Sequence, residues 1–113
     1  MHVSELLNHR VSYQVLITFD LTGADTSKYP QLRDTLAQDL ELETDIHLSK
    51  DDGGKSEELP HNTLAALWTK DSNEQETRDH FQKIVLTAFK KHHLHGRYVI
   101  LVGQNWAVAA GEF

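Results

Sequence analysis

Residues Tyr13–Leu21 read YQVLITFDL, and this run decides the fold. It is rich in β-branched and aromatic residues and stops at Thr22-Gly23-Ala24-Asp25-Thr26, the pattern of a strand running into a turn. Val15, Ile17 and Phe19 share one face; Gln14, Leu16, Thr18 and Asp20 share the other. A strand that is partly apolar on both faces belongs at the centre of a sheet.

Working outward, the spacing predicts a helix over Tyr29–Leu40. Leu32, Leu36 and Leu40 recur every four residues, with Tyr29 and Ala37 beside them. Ser27 is the expected N-cap, and Pro30 fits the first turn. Leu42–Leu48 alternates apolar and polar residues as a half-buried strand, and Ser49–Pro60 reads as a long polar hairpin loop. Asn62–Thr69 is the third strand, with Leu64, Ala66 and Trp68 on one face and Thr63, Ala65 and Leu67 on the other. Asp71-Ser72 then caps a second helix, with Gln75 closing a capping box. Phe81, Ile84, Val85, Ala88 and Phe89 form its apolar stripe, and Gly96 is placed to end it. Tyr98–Val102 is the fourth strand, and Trp106–Ala110 reads as a short fifth.

The order strand-helix-strand-strand-helix-strand predicts an α+β, ferredoxin-like βαββαβ sandwich. Right-handed crossovers put both helices on one sheet face, with antiparallel strand order 4-1-3-2. Residues 1–12 would be an N-terminal arm, and 13–113 the single domain. The sheet face without helices would stay exposed in a monomer, and such patches mark interfaces. A homodimer is therefore expected, through that face or by exchange of the C-terminal strand around Trp106. Otherwise the arm or the tail folds over it.

Composition narrows the classes. The chain has 113 residues and no cysteine, so disulfides, thiolate metal sites and thiol nucleophiles are excluded. No apolar run is long enough to span a membrane, and the first residues lack the apolar core of a signal peptide, so a cytoplasmic protein is expected. Residues 39–58 hold eight acids and two bases, so the whole net charge of −6 resides there. This run is either a solvated edge and loop or a phosphate-mimicking surface for a protein partner. An acidic chain is a poor general binder of nucleic acid, because phosphate contacts drive that affinity. The balanced remainder leaves room for a local basic patch.

Three groups of residues can carry chemistry. Asp20 ends the first strand, just before the loop that bears Asp25. Such carboxylates, drawn from two subunits, would hold a Mg²⁺ able to activate water or to stabilise a phosphoryl charge. The plainer reading is that Asp20 caps the following turn. His47 and His61, with Asn62, flank the polar loop. A histidine pair suits general acid–base cleavage of RNA without a metal, or is simply an exposed polar edge. Lys90, Lys91, His92, His93, His95 and Arg97 form the densest basic patch, for phosphate, for a transition metal shared by His92 and His95, or for the negative end of the helix dipole. No P-loop, GxSxG, HExxH or paired GxGxxG motif occurs.

The first strand, Tyr13-Gln14-Val15-Leu16-Ile17-Thr18-Phe19-Asp20, resembles the opening strand of a family of small ferredoxin-like endoribonucleases. These include the GhoS-type type V antitoxins, the virulence-associated protein D toxins and the small CRISPR-associated spacer-acquisition nuclease. Leu59-Pro60-His61-Asn62-Thr63-Leu64 is similar to the lead-in to the third strand of the GhoS-type antitoxins. The resemblance implies a homodimer that cleaves RNA, with Asp20 in the place of the strand-end Asp. The competing expectation is a non-catalytic binding or regulatory module acting through its sheet face or acidic loop. A small-molecule sensor binding at a dimer interface is a third, without a ligand fingerprint in the sequence.

Overall fold

The computed structural model describes residues 12–47, 56–69, 72–104 and 108–113. The expected arm over 1–12 therefore lies outside the described residues except for Ser12, which opens the first strand. The architecture is mixed α+β. Among the described residues, a three-stranded antiparallel sheet, a two-stranded sheet and two α-helices make up the main regular structure.

Strand β1 spans Ser12–Leu21 and runs down the middle of the larger sheet, as its two-faced apolarity requires. Strands β4 (Thr63–Thr69) and β5 (Gly96–Gly103) flank it, giving the order β4-β1-β5. Register pairs Ile17 with Leu64 on one side and with Ile100 on the other. Both helices, α1 (Tyr29–Leu40) and α2 (Glu74–Lys91), pack on a single face. Val15, Ile17 and Phe19 of β1 meet Leu36 and Ala37 of α1 and Phe81, Val85 and Ala88 of α2 in one core. Burial of these side chains is the main stabilising term.

The expected second strand is shorter than its pattern suggests. Strand β2 covers only Asp45–His47 and pairs with β3 (Ser56–Glu58) in the separate small sheet. Backbone pairing with the main sheet, among the described residues, comes from the bridge between Glu43 and Ala65 just before β2, and Ile46 packs against Ala65. Ser56–Glu58 was expected to be loop, yet it forms β3, because three polar residues suffice for a strand when a partner strand supplies its hydrogen bonds. The fifth strand expected at Trp106–Ala110 falls partly outside the described residues, and Val108–Ala110 has no regular structure.

Helix ends correct the expected caps. Asp25, not Ser27, accepts at the start: its Oδ1 takes the Ser27 N–H at 3.0 Å and caps a 3-10 turn over Thr26–Lys28 that leads into α1. Asn73 and Glu76, rather than Ser72 and Gln75, form the capping box of α2, at 2.8 and 3.1 Å. Its C-terminus turns at His93, in the left-handed region at φ 55°, so Gly96 is not the terminator. Gly96 serves closeness instead: a Cβ there would lie 2.0 Å from the Asp20 carbonyl oxygen. Among the described residues no helix is long and apolar enough to cross a membrane.

Candidate functional site

The end of β1, the turn before β4, the start of β5 and the segment after α2 meet at one end of the sheet. The backbone sets this meeting. Asp20 pairs with Arg97 across the β1–β5 ladder, and Thr22 N–H donates to the His95 carbonyl at 2.8 Å just beyond it. On the other flank, Phe19 N–H donates to the Asn62 carbonyl at 3.0 Å, carrying the β1–β4 alignment one step past the end of β4. A turn closed by Thr63 N–H on the Pro60 carbonyl, also 3.0 Å, holds His61 beside that step. Strand alternation puts Asp20, Thr18, Arg97 and Val99 on the helix-free face.

Asp20 is exposed, and its carboxylate is oriented by Tyr29, whose Oη–H donates to Oδ1 at 3.1 Å. That phenol also accepts the Leu21 N–H at 2.8 Å, so α1 is tied to the end of β1 through one side chain. Arg97 is exposed and makes no salt bridge among the described residues. A cavity of about 340 Å³ opens here, lined by Lys90, His95 and Arg97 together with Phe89 and Leu94. Asp20, His61, Lys90 and Arg97 thus share one end of the molecule.

Other expected site residues go elsewhere. His47 pairs with Ser56 in the small sheet and does not belong to the row that holds Asp20. Lys91 turns to α1, where its Nζ lies 3.2 Å from Asp39 Oδ2, and His92 Nε2 reaches the same oxygen at 3.2 Å. Hydrogen bonds from His92 and then Lys91 hold the Asp39 carboxyl below the usual range. His93 is exposed in the turn that ends α2. Asp25 spends its carboxylate on the 3-10 cap, and the Ser27 backbone N–H bond lowers its pKa. No group of three His, Asp or Glu side chains able to hold a metal ion occurs among the described residues. A shared Mg²⁺ site of the kind expected at Asp20 would need a second subunit.

The helix-free face carries a second feature. A groove of about 780 Å³ runs between it, the β2–β3 hairpin and the C-terminal segment, lined by Leu16, Thr18, Ile46, His61, Val108 and Glu112. Ile46, Leu59 and Ala65 form a small buried cluster there, with Leu16 and Val108 against it. Hairpin and tail therefore cover part of the face that the fold leaves open. Leu67, Val99 and Leu101 stay 46%, 59% and 63% exposed beside it.

Two residues at this end carry no signal in the sequence as read. Tyr29 was counted only as part of a helical stripe, and its link to Asp20 depends on where α1 starts. Arg33 lies outside the apolar stripe of the helix, yet it is buried: its Nη1 donates to the Leu59 carbonyl at 2.7 Å and its Nη2 meets Glu58 at 3.2 Å. It fixes the chain just before His61. Comparison of the chain with family models, with curated proteins and with solved structures finds no match in any of the three.

Proposed function

We propose that this chain is a small homodimeric endoribonuclease-like protein of toxin–antitoxin or CRISPR-related kind, acting in the cytoplasm. One observation carries the reading: Asp20, His61 and Arg97 gather at one end of the sheet, with Lys90 beside Arg97. These are the parts that cleavage of an RNA phosphodiester needs. His61 takes the proton of the 2′-hydroxyl as its oxygen bonds to phosphorus, the P–O5′ bond breaks and the departing 5′-oxygen takes a proton from water, while Arg97 with Lys90 offsets the charge growing on the phosphate. Asp20 orients His61. The ferredoxin-like arrangement belongs to the same proposal. It is supported by the β5-β1-β4 order and by the Glu43 bridge on the outer edge of β4, where a further strand would lie.

The test is incubation of the pure chain with single-stranded and duplex RNA, with Mg²⁺ and with a chelator. Cleavage that disappears in Asp20→Ala and His61→Ala supports the reading. Cleavage by neither preparation refutes it, and cleavage unchanged in Asp20→Ala removes that residue from the mechanism.

A second reading is a non-catalytic binding module. It is favoured by the exposed Leu67, Val99 and Leu101 and by the acidic Glu57 and Glu58 along the groove. Co-purification of one protein partner, lost when Asp51, Asp52, Glu57 and Glu58 are neutralised, would select it.

A further inference from the structure

We propose that two copies of the chain join through the free edge of β5, pairing β5 with its own copy in antiparallel register to make one continuous sheet. This names the surface behind the dimer proposed above. It rests on that dimer, but not on RNA cleavage.

The argument starts from which backbone groups are already used. In β1, the N–H groups of odd-numbered residues point to β4, as Phe19 N–H to Asn62 shows, and those of even-numbered residues point to β5, as Thr22 N–H to His95 shows. The ladder therefore takes up the main-chain groups of Arg97, Val99, Leu101 and Gly103. Those of Tyr98, Ile100 and Val102 point outward and have no backbone partner among the described residues. The opposite edge of the sheet is not equivalent. There Glu43 and Ala65 exchange both hydrogen bonds, at 2.7 and 2.9 Å, which blunts the β4 edge. An uncapped apolar edge strand is a template for another strand.

Self-complementarity selects a second copy as the occupant. With a two-fold axis at Ile100, Ile100 faces its own copy and Tyr98 faces Val102, so every outward N–H and C=O of the three residues finds a partner. The same register sets Val99 against Leu101 on the helix-free face, where both are more than half exposed in the single chain. Arg97, the only charged residue of β5, falls opposite Gly103, so no like charges meet. Leu86 of α2, exposed and lining the cavity beside Tyr98 and Arg97, flanks the same edge.

The test uses the full chain in sedimentation equilibrium, with variants chosen from exposed positions. Val99→Lys combined with Leu101→Lys puts like charges across the axis, and should weaken the dimer at least tenfold with an unchanged circular-dichroism spectrum. Leu67→Lys lies on the same face but on the far strand, and should leave it intact. Hydrogen exchange gives a second readout: the Tyr98, Ile100 and Val102 amides should be protected only at concentrations where the dimer forms. A dimer broken by Leu67→Lys and not by the double variant would overturn edge pairing while keeping the dimer. A wild-type chain that stays monomeric, or unprotected Tyr98, Ile100 and Val102 amides in a dimer, would overturn it as well. RNA cleavage is assayed separately, so its absence leaves these outcomes readable.

Discussion

Arg33 Nη1 donates to the carbonyl oxygen of Leu59 at 2.7 Å, from a side chain only 5% exposed. The same guanidinium lies 3.4 Å from the Pro60 carbonyl and 3.2 Å from both Asp34 and Glu58. A helix residue thus grips the main chain two residues before His61. Arg33→Met keeps much of the buried volume but takes the donor from the Leu59 carbonyl, while the Pro60 carbonyl keeps the Thr63 N–H. We expect a loss of about 2–3 kcal/mol, read from the urea midpoint. Glu58→Gln should cost under ~1 kcal/mol, because that carboxylate is mostly in water.

Gly96 allows β5 to approach the end of β1. A Cβ at this position would sit 2.0 Å from Asp20 O and 2.9 Å from the Leu21 Cα, and both are backbone atoms. Gly96→Ala must push the two strands apart. A loss of about 2–4 kcal/mol is expected in thermal or urea unfolding. Gly23→Ala meets no atom within 4 Å and should cost less, through its left-handed φ of 76° alone.

Asn73 and Glu76 cap α2 reciprocally. Asn73→Ala should remove about 1 kcal/mol of stability, whereas Gln75→Ala, outside the box, should change stability little. Equal effects of the two substitutions in chemical denaturation would contradict this cap.

Asp39 links α1 to the end of α2 through Lys91 and His92. Its folded pKa lies below the ordinary aspartate value, with the His92 bond the larger cause. A depressed carboxyl contributes stability above its unfolded pKa and loses it as pH falls through the folded one. Acid unfolding curves should therefore show a shallower acid limb for Asp39→Asn than for the wild type. Near neutral pH the variant should be the less stable of the two. Parallel acid limbs would remove Asp39 as a contributor.

Arg97 and Lys91 should separate in an RNA titration. Arg97 is free of salt bridges among the described residues, whereas Lys91 is engaged by Asp39. Arg97→Ala should weaken RNA binding and reduce the salt slope by about one, with a smaller change for Lys91→Ala. Similar slopes for wild type and Arg97→Ala would show that Arg97 contacts no phosphate.

Much of the architecture was legible because burial leaves a period. The alternation of Val15, Ile17 and Phe19 marked the core face of β1, and the Leu32–Leu36–Leu40 repeat marked α1 over its full extent, Tyr29–Leu40. Where burial is slight, the pattern misled. Leu42–Leu48 alternates well, but among its described residues only Asp45–His47 is strand, paired with the polar Ser56–Glu58. Caps were displaced by a residue or two because Ser, Asp and Asn crowd both helix starts, and only geometry decides which side chain reaches the free N–H. The candidate site was legible as residue types, not as a set. Asp20, His61 and Arg97 lie far apart in sequence, and His47 and Lys91 looked equally eligible.

Sequence alone determined that a two-faced apolar strand lies between partners and that two amphipathic helices supply its cover, since these follow from local spacing and hydrophobicity. Tertiary structure decided which polar groups meet: Arg33 with Leu59, Asp39 with His92, and Asp20 with Tyr29. Such pairings depend on ladder register and on the approach of distant backbones. A one-residue slip would turn each side chain to the other face without changing the sequence pattern.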